Sequence, residues 1–163
     1  MRNHRSCRLL FWALLALLPG LARADIFVLI DGVTGDSTEA NHRQWISARS
    51  AAWNVEQGAA PQPVVLVMHD GPWSAKLLEK LVIGKAFPRI TIDQTMHTAN
   101  RWVVFSRLTL TDASVRRFTS SVAESTRAVS QVELFYTGLQ WEYWTYSPAG
   151  AATGSVKGSL SIK

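Results

Sequence analysis

Five consecutive apolar residues, Ile26-Phe27-Val28-Leu29-Ile30, constrain this chain more than any other stretch. The run stops at a turn signal, Asp31-Gly32, so it is too short for a helix and reads as a strand. Strand side chains alternate between two faces, so a strand that is apolar throughout must be covered on both. A second turn signal, Gly35-Asp36-Ser37, and a polar connection through Arg43 follow it.

The 24 residues before this strand have the three parts of a secretory signal. Arg2, Arg5 and Arg8 form a basic start, Leu9 to Leu18 an uncharged apolar run, and Ala22-Arg23-Ala24 a small-residue cleavage pattern after Pro19-Gly20. Ten apolar residues fall well short of the roughly 20 needed to span a bilayer. Cleavage is expected between Ala24 and Asp25. That divides the chain into a signal peptide, 1–24, and one domain, 25–163, that is exported to the periplasm or beyond and holds no membrane segment once cut.

The leader also explains the charge. The whole chain carries a formal +5, but four arginines and no acids lie in residues 1–24, leaving 13 basic against 12 acidic residues. So even a balance gives no electrostatic reason to expect nucleic acid. Cys7 is the single cysteine and lies in the leader, so the domain is expected to fold without a disulfide, a thiolate or a cysteine metal site.

Downstream, strands dominate. Gln44–Val55 alternates, with Trp45, Ser47, Arg49, Ala51 and Trp53 on one face. Val64–Met68 is a short β-branched strand after the breaker Gln57–Pro63. His69-Asp70-Gly71-Pro72 then opens a helix, with Asp70 or Gly71 as cap and Pro72 in the first turn. Trp73, Leu77 and Leu81 form its apolar stripe with Leu78 and Val82 beside them, and Gly84 closes it.

Phe87–Met96 and Trp102–Thr111 are the next strands, joined by a turn at Asn100, with Val115 and Phe118 extending the second. Val129–Tyr146 is the longest β stretch. Its apolar phase shifts from Val132, Leu134 and Tyr136 to Leu139, Trp141 and Tyr143, which a bulge at Gly138 explains. After a turn at Pro148-Ala149-Gly150, Ser155–Ile162 adds an edge strand. Many strands and one helix predict a mainly β fold, a small barrel or sandwich of two sheets with one flanking helix.

No chemistry announces itself. His69-Asp70 adjoins an imidazole and a carboxylate, but a cap with a neighbouring histidine accounts for both. Trp141, Tyr143, Trp144 and Tyr146 resemble a stacking platform, yet strand alternation makes packing the better account. His42, His69 and His97 lack metal-ligand spacing. Neither a phosphate-binding glycine loop nor a nucleophile elbow is present. The expectation is therefore no catalytic, cofactor-binding or metal residues, and no enzyme.

The order of parts resembles one family, the haemolysin-coregulated proteins (Hcp) of bacterial type VI secretion. Asp25–Ser37 (DIFVLIDGVTGDS) is similar to the family's opening strand and turns. Gln44–Val55 with its late Trp53, the helix Pro72–Ile83, the strand from Phe87, the long Val129–Tyr146 and the closing Val156–Ile162 follow in the family's order. The resemblance implies a small barrel with one helix, assembled as a homo-hexameric ring. It also implies stacking of rings into a tube, carriage of effectors in the lumen, and contact with spike proteins. It implies no catalytic residues. Such tubes assemble in the cytoplasm, whereas the leader sends this chain out of it. Two functions are therefore expected to compete: a tube subunit, and an exported barrel reused as a binding or adaptor module.

Overall fold

A computed structural model describes residues 24–57, 60–98, 101–124 and 126–162. Among the described residues eight strands and one helix follow in order: β1 (Ala24–Ile30), β2 (Ile46–Ala52), β3 (Val64–His69), α1 (Trp73–Ile83), β4 (Phe87–Thr98), β5 (Arg101–Ser121), β6 (Val129–Phe135), β7 (Gly138–Tyr146) and β8 (Ala152–Ser161). All pairings are antiparallel. The sheet runs β4-β1-β2-β3-β6-β5-β7-β8, and β4 also pairs with β5. Six strands thus close a barrel, and β7 and β8 extend from it as a flange. The leader and the turn residue Asn100 lie outside the described residues.

The closing strand is β5, the longest at 21 residues. One of its edges takes β4 from Phe87↔Ala113 to Thr98↔Arg101. Its other edge takes β7 over Ser106–Thr111 and β6 over Ser114–Ser121. One strand therefore belongs to both barrel and flange. β6 and β7 form nearly one continuous partner for it, as the long β stretch predicts.

No bulge sits at Gly138. Register is unchanged across the step, from Ser114↔Phe135 to Thr111↔Gly138. Both strands leave regular geometry together, with Asp112 at a φ of 48° and the Thr137 amide donating to the Thr111 carbonyl. The buried set shifts on both sides at once, from Leu110 to Ala113 and from Tyr136 to Leu139. A paired step moves the apolar phase without leaving an unmatched residue. The register shift in this hairpin lies instead between Val115 and Arg117.

β1 is a central strand, between β2 and β4, and is covered twice. Val28 and Ile30 enter the barrel core with Ile46, Leu66, Met68, Ile90, Ile92, Leu108, Leu110, Val132 and Leu134. On the outer face Phe27 stacks on the His42 ring, with centroids 4.4 Å apart. The cover there is the connection between β1 and β2. Gly32 makes the first turn with a φ of 79°, and the Val33 amide bonds the Ile30 carbonyl. Gly35–Ser37 is not a turn. It runs beside Gln44–Trp45, bonded Gly35 N–H to Gln44 O at 2.7 Å and Ser37 N–H to Trp45 O at 2.9 Å. A Cβ on Gly35 would collide with the Trp45 backbone, so close approach requires glycine there.

Three further expectations change. The alternation of β2 breaks at a register shift between Ala48 and Ser50, so Ala48, Ala51 and Trp53 all pack on the core. Asp70 does not cap α1. Pro72 stands at the N-cap without a side-chain bond, and the Asp70 carboxylate accepts from the Ser120 and Ser130 hydroxyls instead. On α1 only Trp73 and Leu77 are buried, with Leu81 packed alongside; Leu78, Val82 and Ile83 face outward. Gly84 closes the helix as expected. At a φ of 65° it bonds the Leu81 carbonyl, and Lys85 N–H bonds the Lys80 carbonyl.

Candidate functional site

The sequence singles out residues that the structure keeps apart. His69 ends β3 with a buried Nδ1 that has no hydrogen-bond partner, while Asp70 turns to the two serines. His97 is exposed, edge-on to Trp102. Alternation divides the aromatic series of β7. Trp141 lies over Gly158, its cross-strand partner, and packs on the core, and Tyr143 extends that face outward. On the opposite face Trp144 lies under the Arg107 guanidinium, and the Tyr146 hydroxyl donates to the Val104 carbonyl at 2.6 Å. No common stacking platform results. The Ala24–Asp25 bond lies within β1, where Ala24 pairs with Met96 and Asp25 with Thr95.

The third histidine anchors a network that sequence reasoning missed. His42 is 3% exposed and Asp93 fully buried. His42 Nε2 lies 3.0 Å from Asp93 Oδ2, and its Nδ1 lies 2.7 Å from Glu39 Oε2. Arg107 grips the same Asp93 with two bonds, Nε to Oδ1 at 2.6 Å and Nη2 to Oδ2 at 2.7 Å. Burial disfavours a charged His42, but hydrogen bonds to Asp93 and then Glu39 outweigh it and raise its pKa. Burial likewise opposes ionisation of Asp93, and the Arg107 and His42 bonds overcome it, lowering its pKa. The Asp93 bonds hold Arg107 even more firmly protonated than usual.

This network starts a charge ladder along one cross-strand row. Asp93 on β4 pairs with Arg107 on β5, Arg107 with Glu142 on β7, and Glu142 with Lys157 on β8. Lys157 Nζ stands 3.0 Å from Glu142 Oε1. The neighbouring row, Thr91, Thr109, Gln140 and Ser159, is polar and uncharged. Between these rows lies a cleft of about 340 Å³. The outer face of β5, β7 and β8 is thus polar and charge-balanced, a surface suited to staying hydrated.

Other surfaces are apolar and uncovered. Leu78, Val82 and Ile83 project from α1, with Val82 83% exposed. Where β7 approaches the residues that follow β2, Trp53, Asn54, Val55, Leu139, Trp141 and Tyr143 line a groove of about 280 Å³, and exposed Val156 pairs with Tyr143. Uncovered apolar patches of this kind mark surfaces that another molecule can cover. Among the described residues no group of three or more histidines, cysteines and acids could hold a metal, and no helix is long and apolar enough to cross a membrane.

Comparison with known proteins follows the fold closely. Residues 27–143 match the family described as type VI secretion system effector, Hcp. Hcp1 from Salmonella typhimurium superposes with a TM-score of 0.76 at 23% identity, covering 85% of this chain and 94% of that one. A type VI secretion system effector from Yersinia pestis gives 0.74 at 21%, covering 85% and 100%. The secreted protein Hcp3 from Pseudomonas aeruginosa gives 0.67 at 15%, covering 87% and 99%. None of the curated proteins matches this sequence.

Proposed function

We propose, for a chain that belongs to the Hcp family of type VI secretion, that residues 25–163 form a homo-hexameric ring. The chain is a structural subunit resembling the inner tube protein of that system. Stacking of rings into a tube, carriage of effectors in the lumen and contact with spike proteins are the finer part of the reading. One observation carries it: the family match runs from β1 to β7, so it spans the whole barrel and its helix rather than one motif. The uncovered side chains Leu78, Val82, Ile83, Val55, Tyr143 and Val156 support it, because a ring joins two different patches of each subunit. The polar face of β5, β7 and β8 suits a water-filled lumen. Light scattering and negative-stain electron microscopy of residues 25–163 are expected to show hexameric rings. A stable monomer at every concentration sinks this reading.

The leader supports a second reading. Its basic start, apolar run and Ala22-Arg23-Ala24 pattern favour cleavage between Ala24 and Asp25 and export as a periplasmic or extracellular binding or adaptor module. A cut there leaves β1 from Asp25 onward. Fractionation with N-terminal mass spectrometry of tagged full-length protein tests it. Cytoplasmic protein that retains residues 2–24 counts decisively against export.

A further inference from the structure

We propose that residues 36–45 are a strap over the outer face of β1 and β4, latched by a protonated His42 and released when that proton is lost. The inference is independent of ring assembly.

The strap is largely closed on itself. Its backbone bonds join Ser37 to Gln44 and to Trp45, and Glu39 to His42, while Gln44 takes a left-handed φ of 64° at the base, beside Ser37. Its ties to the barrel run through His42. Phe27 of β1 stacks beneath the ring and Asp93 of β4 bonds it, while Trp45, within the strap itself, meets it edge-on at 4.8 Å. Arg127 reaches Asp36 at 3.4 Å, but that pair is exposed and contributes little.

The charge pattern makes the latch depend on one proton. Glu39 faces His42 from the strap itself, and Asp93 from β4. From β5, Arg107 lies behind Asp93 and bonds it; β1 presents the phenyl ring of Phe27, with Asp25 two residues away on the same face, opposite Thr95. Arg101 lines the adjoining cleft and bonds the Gly150 carbonyl. An imidazolium donates from both nitrogens and so satisfies both carboxylates. A neutral ring has one N–H, so deprotonation turns the other lone pair against a carboxylate oxygen in a largely buried site. One buried charge-assisted bond is then lost and replaced by repulsion. Glu39 is the partner that can leave, because its side chain is 24% exposed while that of Asp93 is fully buried.

The sign follows from the raised pKa of His42. Its contribution is complete below the histidine value of the unfolded chain and disappears as pH rises through the folded value. Asp93 sets the acid limit, because its pKa is lowered and its contribution is lost as pH falls through it. The strap is therefore latched in the window between the two. Release uncovers Phe27 and removes one wall of the existing cleft of about 550 Å³ that Glu39, Asn41 and His42 share with Thr95, Trp102 and Tyr146.

Hydrogen–deuterium exchange on residues 25–163, corrected for the intrinsic rate at each pH, tests the latch together with NMR titration of His42. Exchange in residues 36–45 is expected to rise at least about tenfold as His42 deprotonates, while β3 and β6 remain protected. Glu39→Gln keeps the shape and removes one charge. It is expected to move both the His42 midpoint and the exchange midpoint to lower pH together. His42→Gln is expected to leave the strap exchanging fast at every pH. Strap protection that does not change across the His42 titration overturns the proposal. So does a His42 midpoint at or below that of free histidine, or a barrel that opens together with the strap.

Discussion

Replacing Asp93 with asparagine tests whether the buried network holds the barrel's outer layer. The carboxylate accepts three charge-assisted bonds, at 2.6, 2.7 and 3.0 Å, and is fully buried. Asparagine offers one acceptor oxygen and turns an N–H₂ group against a donor. Each bond to a charged group contributes about 1.5–3 kcal/mol, and breaking a buried pair from one side costs about 3–5 kcal/mol. Two features lower the figure. The Arg107 side chain is 41% exposed and can rehydrate, and His42 can shed its proton. The expected loss is therefore about 3 kcal/mol, a large part of the 5–15 kcal/mol typical of a whole domain. Urea denaturation of residues 25–163 at pH 7 should show it as a lower midpoint at unchanged slope. The Tm should fall by about 10 °C. The His42 resonances should titrate at lower pH than in the parent. A loss under about 0.5 kcal/mol refutes the reasoning, because the network would then only decorate a barrel that stands without it.

Three other perturbations separate core, cap and surface. Leu134→Ala empties a fully buried site on β6 and is expected to cost about 2–5 kcal/mol in the same urea assay. Gly84→Ala places a Cβ at a φ of 65° and should cost about 1 kcal/mol, read by thermal denaturation. Val82→Asp alters a side chain that is 83% exposed, so stability should change by less than about 0.5 kcal/mol. If α1 forms a ring contact, the same variant loses hexamers in light scattering.

Much of the barrel was readable because a strand's period of two is written directly in its residues. The alternation of Val64–Met68 and Val132–Leu134 places their cores correctly. The double cover of β1 follows from Phe27 and Leu29 being as apolar as Val28 and Ile30. What covers them was not readable. Glu39 lies three residues from His42, but Asp93 lies 51 away, and only the pairing of β1 with β4 brings them together. One signal did exist: Asp93 directly follows Ile90-Thr91-Ile92 in a strand that must sit beside an apolar neighbour, and a carboxylate there needs a cation. Errors cluster where two local rules compete. Asp70 has the type and place of a cap, yet two serines from distant strands outbid the helix for it. Leu78 and Val82 continue a helical stripe that is wider than the barrel wall beneath it. The phase shift near Gly138 was visible, but one strand cannot reveal that its partner steps too.

The double pairing of β5 gives the molecule a direction-dependent resistance to force. Pulled along its length, a strand bonded on both edges must break many hydrogen bonds at once. β8, which among the described residues is bonded along one edge only, can be peeled away one bond at a time. A load entering through the C-terminus therefore strips the flange as a zipper opens, whereas a load along β5 meets the whole ladder in shear. For a subunit of a secretion machine, the yielding element is the last strand, and the barrel behind it is spared.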